Sequence, residues 1–223
     1  MIELIDVSWK YAARVILDIP RLSFEPGKRY ALIGVNGSGK TTLLRLLAGS
    51  LLPDTGEIRN VPRAEMGYMP QSPYAFGFSV LKNIEIALAG CPDAEKLANK
   101  ALKAVGMNAL AHSRGNRLSG GETQRMAFAR MIARPRKLLL LDEPTSSTDI
   151  RGTDQIEKTL LRYTADTGCT VILSTHSPAQ ALRLAEVIIY LDEGKVIEIA
   201  PAEALLNHPR HERTRLFLQH WKI

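Results

Sequence analysis

At 223 residues, 45% of them hydrophobic, the chain is long enough for one substantial core with a smaller appended lobe, and no apolar run in it nears the length of a membrane-spanning helix. A net charge of +6 and a pI near 9.4 raise the question of nucleic acid, but the basic residues are dispersed, with only small clusters such as Arg134-Pro135-Arg136-Lys137, so no nucleic-acid partner is expected. The start Met1-Ile2-Glu3-Leu4-Ile5-Asp6-Val7 alternates like a strand and carries acids, unlike a signal peptide, and Cys91 and Cys169 have neither metal nor redox spacing, so an intracellular, reducing location is expected.

Up to about Leu32 the chain alternates apolar and polar residues around a turn at Glu25-Pro26-Gly27, which predicts antiparallel strands. Arg29-Tyr30-Ala31-Leu32-Ile33 reads as a buried strand running into Gly34-Val35-Asn36-Gly37-Ser38-Gly39-Lys40-Thr41-Thr42. Leu43, Leu44, Leu46 and Leu47 then supply the apolar face of a helix. This is the strand–loop–helix setting of a phosphate-binding loop of the Walker A pattern. Its glycines let backbone N–H groups curl around an anion at the positive end of a helix dipole. In this reading Lys40 reaches the β- and γ-phosphates of a nucleoside triphosphate, and the Thr41 hydroxyl is suited to ligate Mg²⁺.

Met66-Gly67-Tyr68-Met69 predicts a strand leading to Gln71, and from Ser72 to about Leu118 the period turns helical through Val80, Ile84, Ala87, Leu88, Leu97, Ala101, Leu102 and Val105. Leu118-Ser119-Gly120-Gly121-Glu122-Thr123-Gln124-Arg125 then opens an apolar helix carrying Met126, Phe128, Ala129, Ile132 and Ala133. A serine and two glycines at a helix start form a second anion site, and two such sites in one chain make sense if one serves a nucleotide held by another copy. Leu138-Leu139-Leu140-Leu141 suits a strand buried on both faces of a parallel sheet, with Asp142 and Glu143 at its carboxyl end, where open α/β sheets hold ligands. Asp142 is placed to hold Mg²⁺ through water, and Glu143 to orient or deprotonate an attacking water. Val171-Ile172-Leu173 precedes His176, and Val187–Leu191 with Lys195–Ile199 forms a hairpin over Asp192-Glu193-Gly194. A final helix ends near Trp221, and the chain shows no repeat or low-complexity linker.

Taken in order, these strings resemble the ATP-binding subunit of an ABC transporter over nearly the whole chain. The resemblance makes Gln71 in Tyr68-Met69-Pro70-Gln71 the Q-loop, Leu118 to Glu122 the signature, Ser146-Ser147-Thr148-Asp149 the D-loop and His176 the switch histidine. It implies an α/β P-loop NTPase core with an antiparallel β subdomain, the single domain 1–223, and a helical subdomain inserted at 72–118. Tyr11 resembles the aromatic that stacks on adenine, although Trp9 and Tyr11 alternate along a strand and packing would also account for either. Val35 contributes only backbone, Thr41 keeps the hydroxyl, Thr123 stands where glutamine is frequent, and Thr148 replaces the usual leucine of the D-loop. No departure removes a group the chemistry needs.

The resemblance further implies an ATP hydrolase working as a head-to-tail dimer with ATP and Mg²⁺. Gly34 to Thr42 and Gln71 would hold the nucleotide, Thr41, Gln71 and Asp142 would organise the metal, and Glu143 would be the general base with Lys40 and His176 on the phosphates. Ser119, Gly120, Gly121 and Glu122 would contact the nucleotide of the opposite subunit, with Asp149 at the interface. Expected partners are a second copy, integral membrane permease subunits and an extracytoplasmic solute-binding protein, with the chain peripheral on the cytoplasmic face of the membrane. A stand-alone cassette and the tail from Pro201 to Thr214 resemble prokaryotic importers of an amino acid or of an oxyanion such as tungstate or molybdate. The rival from another class is a soluble ABC-type ATPase of DNA repair or translation. Relatives of that kind usually carry a long coiled coil or two cassettes, which this chain lacks. A kinase with the same loop type is disfavoured by the signature and the switch histidine.

Overall fold

The computed structural model describes residues 1–221, whose strands form two sheets. In the smaller, β1 (Ile2–Tyr11) lies between β2 (Arg14–Phe24) and β4 (Thr55–Arg59), antiparallel to both. In the larger, β5 (Met66–Met69), β6 (Leu138–Asp142), β7 (Thr170–Ser174), β3 (Arg29–Ile33) and β8 (Val187–Asp192) run parallel in that order, and β9 (Lys195–Pro201) closes the edge antiparallel to β8.

The leucine run explains how the layers stack. Leu138 and Leu140 face a core shared with β1, β2 and the helix α1 (Lys40–Leu47), whereas Leu139 and Leu141 face a second core under the remaining helices. β3 divides in the same way, with Tyr30 and Leu32 on one side and Ala31 and Ile33 on the other. Apolar side chains are therefore needed on both faces, which is why these strands do not alternate. The antiparallel pattern expected to reach Leu32 accordingly stops at Phe24. After the turn at Gly27 (φ +77°) the chain enters the middle of the parallel sheet instead. β4 had no apolar signal because only Ile58 among its residues is even half-buried.

Between β5 and β6 lie α2 (Val80–Glu85), α3 (Ala94–Ala104) and α4 (Gly120–Ile132), packed against one another. Ser79 caps α2 by accepting from the Lys82 N–H. The irregular stretch before it is tied down by buried Asn83, which accepts from the Phe76 N–H and donates to the Phe76 and Ser79 carbonyls. Arg130 of α4 donates to the Asn83 carbonyl and its Oδ1, so this segment is fastened to the start of the second core. Helices α5 (Ile150–Thr167) and α6 (Pro178–Leu184) connect the central strands. The expected single terminal helix is two, α7 (Ala202–Asn207) and α8 (Glu212–Gln219), because Pro209 follows His208 and cannot continue a helix hydrogen-bond ladder. Among the described residues no helix is long and apolar enough to cross a membrane. Cys91 and Cys169 are free, and burial pushes the Cys169 thiol up to about 12.

Candidate active site

β3 delivers the chain to a turn that only glycine can make. Gly34 has φ +150°, and a Cβ there would sit 2.2 Å from the Leu191 carbonyl oxygen. Gly39, with φ +104°, is the N-cap of α1, and no side chain caps that helix start. The amides opening α1 are thus left without a side-chain cap, an arrangement able to receive an anion. Lys40, 6% exposed, folds along the loop and donates to the Gly34 carbonyl at 2.8 Å and the Val35 carbonyl at 2.9 Å. Burial lowers its ammonium pKa, opposed by the negative charges of Glu143 and Asp142. The glycine of the β8–β9 turn supports the loop from behind, its N–H donating to the Ser38 carbonyl at 3.1 Å.

The carboxyl ends of β6 and β7 bring the acidic residues to this loop. Asp142 is buried, and its Oδ1 accepts from the Ser174 hydroxyl at 2.6 Å and the Thr41 hydroxyl at 3.2 Å. Its Oδ2 is buried with no hydrogen-bond partner among the described residues. Ser174 also accepts from the Glu143 N–H at 3.0 Å, so one hydroxyl links both carboxylate residues to β7. Glu143 lies at φ +45°, a left-handed conformation that a non-glycine residue holds only at a cost of roughly 1–3 kcal/mol. That turn aims its side chain at two others: Gln71 Nε2 donates to Glu143 Oε2 at 3.2 Å, and His176 Nδ1 lies 3.5 Å from the same oxygen. Gly34, Val35, Asn36, Gln71, Glu143 and His176 line one cleft of about 820 Å³.

Gly37 to Thr42 and Asp142 do not line that cleft but adjoin it, through the Lys40 bonds to Gly34 and Val35 and the Asp142 link to Glu143, whereas other expected residues lie apart from it. Ser119 to Glu122 do not line it, and Tyr11 stands at the end of β1 with its side chain 72% exposed. Ser119 and Glu122 cap α4 reciprocally: the Ser119 Oγ accepts from the Glu122 N–H, while the Glu122 carboxylate accepts from the Ser119 N–H and Oγ, both at 2.8 Å. Those hydrogen bonds lower the Glu122 pKa, the backbone one most. A carboxylate therefore already occupies the positive end of this helix, and a phosphate approaching Ser119 would meet it. Asp149 caps α5 by accepting from the Gly152 N–H at 2.7 Å. Thr148 donates to the Thr145 carbonyl within its own loop, which gives its departure from leucine a local role.

Sequence reasoning left four contributors unassigned. Gln124, buried one turn into α4, accepts from the Ser147 N–H at 2.8 Å and donates to the Ser146 hydroxyl and the Glu143 carbonyl, joining the signature helix to the loop after β6. Ser174 was visible only as the residue before Thr175-His176. From α8, Arg213 bridges Asp192 and Glu193 at 3.2 Å each, and Trp221 lies with its ring 6.0 Å from that of His176, so the chain's end forms a wall of the cleft. No short string marks that wall, because it arises from packing of Phe217 on Tyr190.

The family profile described as ABC transporter matches residues 17–146 of the chain. The Fe(3+) ions import ATP-binding protein FbpC of Pseudomonas fluorescens is 37% identical over 213 residues, 88% of this chain and 60% of that protein. The chain thus spans about three-fifths of the length of that relative and 62% of the spermidine/putrescine import protein PotA of Nitrosomonas europaea. The tungstate uptake system ATP-binding protein TupC of Peptoclostridium acidaminophilum is 34% identical over 84% of this chain and 92% of its own. Other relatives are named for phosphate import and glutamine transport. Among solved structures, a dimeric ATP-binding cassette in a post-hydrolysis state with ADP and Pi superposes with a TM-score of 0.82 at 26% identity, covering 91% of this chain and 99% of that one.

Proposed function

We propose, on the premise that this chain belongs to the ABC transporter family, that it binds and hydrolyses ATP to power a membrane importer. The observation that carries the reading is the convergence of Lys40, Asp142, Glu143, Gln71 and His176 at the carboxyl ends of four neighbouring parallel strands, β5, β6, β7 and β3. The loop amides and Lys40 bind the phosphates, and Tyr11, exposed with its ring 6.4 Å from that of Trp9, stacks on the base.

Mg²⁺ fits the residues present. The buried Asp142 Oδ2 lacks a partner beside the Thr41 hydroxyl, and no group of three or more His, Cys, Asp and Glu among the described residues could hold a metal unaided, which suits an ion that arrives on a nucleotide. Thr41, Asp142 through water and the Gln71 carbonyl would hold it, and when bound it would offset charge on the β- and γ-phosphates. Glu143 Oε2 is engaged by Gln71 and approached by His176, which leaves Oε1 to take the proton of the attacking water. His176 then faces the γ-phosphate. Catalysis is positioning and charge stabilisation, as phosphoryl transfer requires.

The active unit in this reading is a head-to-tail dimer in which Ser119, Gly120 and Gly121 of one copy complete the site of the other, with residues 72–118 as the inserted helical subdomain of a single cassette. Permease subunits anchor it to the cytoplasmic face of the membrane, with a solute-binding protein outside. For cargo, the relative named for tungstate uptake supports an oxyanion and the one named for glutamine transport supports an amino acid. We favour the oxyanion, and uptake of tungstate against glutamine by the assembled complex decides between them.

Two measurements test the reading. Lys40→Ala removes a buried charge-assisted donor worth about 1.5–3 kcal/mol, so ATP affinity should fall roughly 10- to 100-fold in equilibrium binding of labelled ATP. Unchanged affinity would remove Lys40 from the phosphate site. Tyr74, Phe76 and Phe78 stand exposed before α2 in mutual ring contact, with Arg130 over the Phe76 ring at 5.6 Å. If this patch seats the permease, Tyr74→Ser with Phe76→Ser should lower permease pull-down and stimulated ATPase while ATP binding by the isolated chain is retained. Normal assembly of the double variant would place the contact elsewhere.

A further inference from the structure

Behind the cleft, on the side of α5 and α6, lies a buried polar cluster that the mechanism above does not use. Gln180 of α6 is 6% exposed and Glu157 of α5 is 8% exposed. Both polar atoms of the Gln180 carboxamide are engaged. Its Oε1 accepts from the Thr175 hydroxyl at 2.8 Å, and its Nε2 donates to the Thr145 hydroxyl at 2.8 Å and to Glu157 Oε1 at 2.9 Å. Thr175 Oγ1 in turn accepts from the Ser177 N–H at 3.0 Å, closing a turn around His176. Arg183, one turn along α6, grips Glu157 with two bonds of 2.8 Å, Nε to Oε2 and Nη2 to Oε1. Burial alone would raise the Glu157 pKa, but the hydrogen bonds from Arg183 and Gln180 outweigh it and hold the carboxyl below its ordinary value.

We propose that Gln180 is a positioning residue for hydrolysis, fixing the spacing between the His176 turn and the loop that carries Glu143; this rests on the ATPase reading above. Thr175 precedes His176 and Thr145 follows Glu143 by two residues, so one rigid amide holds the two segments on which the γ-phosphate contact and the base sit. The His176–Glu143 approach of 3.5 Å is held on the strand side by the Glu143 N–H donating to Ser174, two residues before His176, and on the far side by the Gln180 amide. Glu157 and Arg183 set the amide's orientation: the carboxylate must receive Nε2, which turns Oε1 toward Thr175. A cluster serving stability alone would need neither of these loop contacts. An apolar pair of the same size packs α5 on α6 as well, since replacing buried polar partners by apolar groups of like shape is often nearly neutral.

The test compares the full chain with Gln180→Leu and Gln180→Glu for ATP affinity, kcat, KM and thermal unfolding. Gln180→Leu should keep ATP affinity within about threefold and lower kcat roughly 10- to 100-fold, the cost of displacing a catalytic group by a fraction of an ångström to one ångström. Gln180→Glu places a carboxyl against Glu157 and Arg183, with Asp154 one turn earlier on α5 and His176 on the adjoining turn. Ionised, it cannot donate to Thr145 or Glu157; protonated, it regains one donor. Its kcat relative to the native chain should therefore rise as pH falls, a change that simple loss of packing would not produce. An inactive native chain would overturn the ATPase reading itself. A native chain that hydrolyses ATP beside Gln180→Leu with unchanged kcat would overturn only the positioning role. Should Gln180→Leu fail to fold, a kcat ratio for Gln180→Glu that is flat with pH overturns it equally.

Discussion

Glu143→Gln should lose ATP turnover by roughly 10²- to 10⁴-fold, the usual contribution of a general base, while binding ATP at least as tightly as the native chain. The substitution preserves what positions the residue. The Glu143 N–H to Ser174 bond is backbone, the φ of +45° depends on no carboxylate, and a side-chain amide oxygen still accepts from Gln71 Nε2. It removes only the ability to take a proton and one negative charge. That charge raises the pKa of Lys40 and would repel an incoming triphosphate, so its loss favours nucleotide binding. Single-turnover hydrolysis and equilibrium binding of labelled ATP on the same preparation separate the two effects. Turnover within about threefold of native would assign the base elsewhere, and a large loss of affinity would mean that the substitution had disturbed the loop.

How far this site can be read from sequence depends on whether a residue's role is set by its neighbours in the chain. The loop from Gly34 to Thr42 is legible because one continuous segment supplies glycines, lysine and hydroxyl, and the buried strand before it is equally local. The carboxylates at Asp142 and Glu143 are legible for the same reason, as the ends of an unbroken leucine strand. What sequence could not show are contacts assembled by the sheet order: Ser174 reaching Asp142 across adjacent strands, Gln124 joining α4 to the loop after β6, and Trp221 arriving beside His176. β4 escaped notice because it is an exposed edge with almost no apolar pattern. The assignment of the chain up to Leu32 to antiparallel strands failed at β3 because a buried apolar run shows that a strand is covered on both faces but not which distant strands it pairs with. The reciprocal cap of Ser119 and Glu122 was visible as a spacing, but its electrostatic consequence was not. The same four residues that suggest an anion site also place a carboxylate in it.

That consequence sharpens the test of the dimer. Gly120→Asp should abolish ATP-driven dimerisation and hydrolysis while each monomer still binds ATP through its intact loop. The position is well chosen within one chain. A Cβ at Gly120 would meet the Ser147 Cβ at 3.4 Å, an ordinary contact, whereas one at Gly121 would lie 2.9 Å from the Ser147 carbonyl oxygen and disturb its own fold. Across the proposed interface, a carboxylate added beside that of Glu122 would face the γ-phosphate of the partner in a desolvated gap, where like-charge contact costs ~3 kcal/mol or more and so weakens association about 100-fold. Light scattering of Glu143→Gln with ATP supplies the reference: dimer for that variant, monomer once Gly120→Asp is added. Mixing Gly120→Asp with Lys40→Ala chains gives a sharper discrimination, because a head-to-tail pair places both lesions in one site and leaves the other intact. Partial return of ATPase activity in the mixture requires residues of two chains at one phosphate, whereas a site complete within a single chain would leave Gly120→Asp active alone. A Glu143→Gln protein that stays monomeric with ATP at micromolar concentration, with and without its permease, would end the head-to-tail reading.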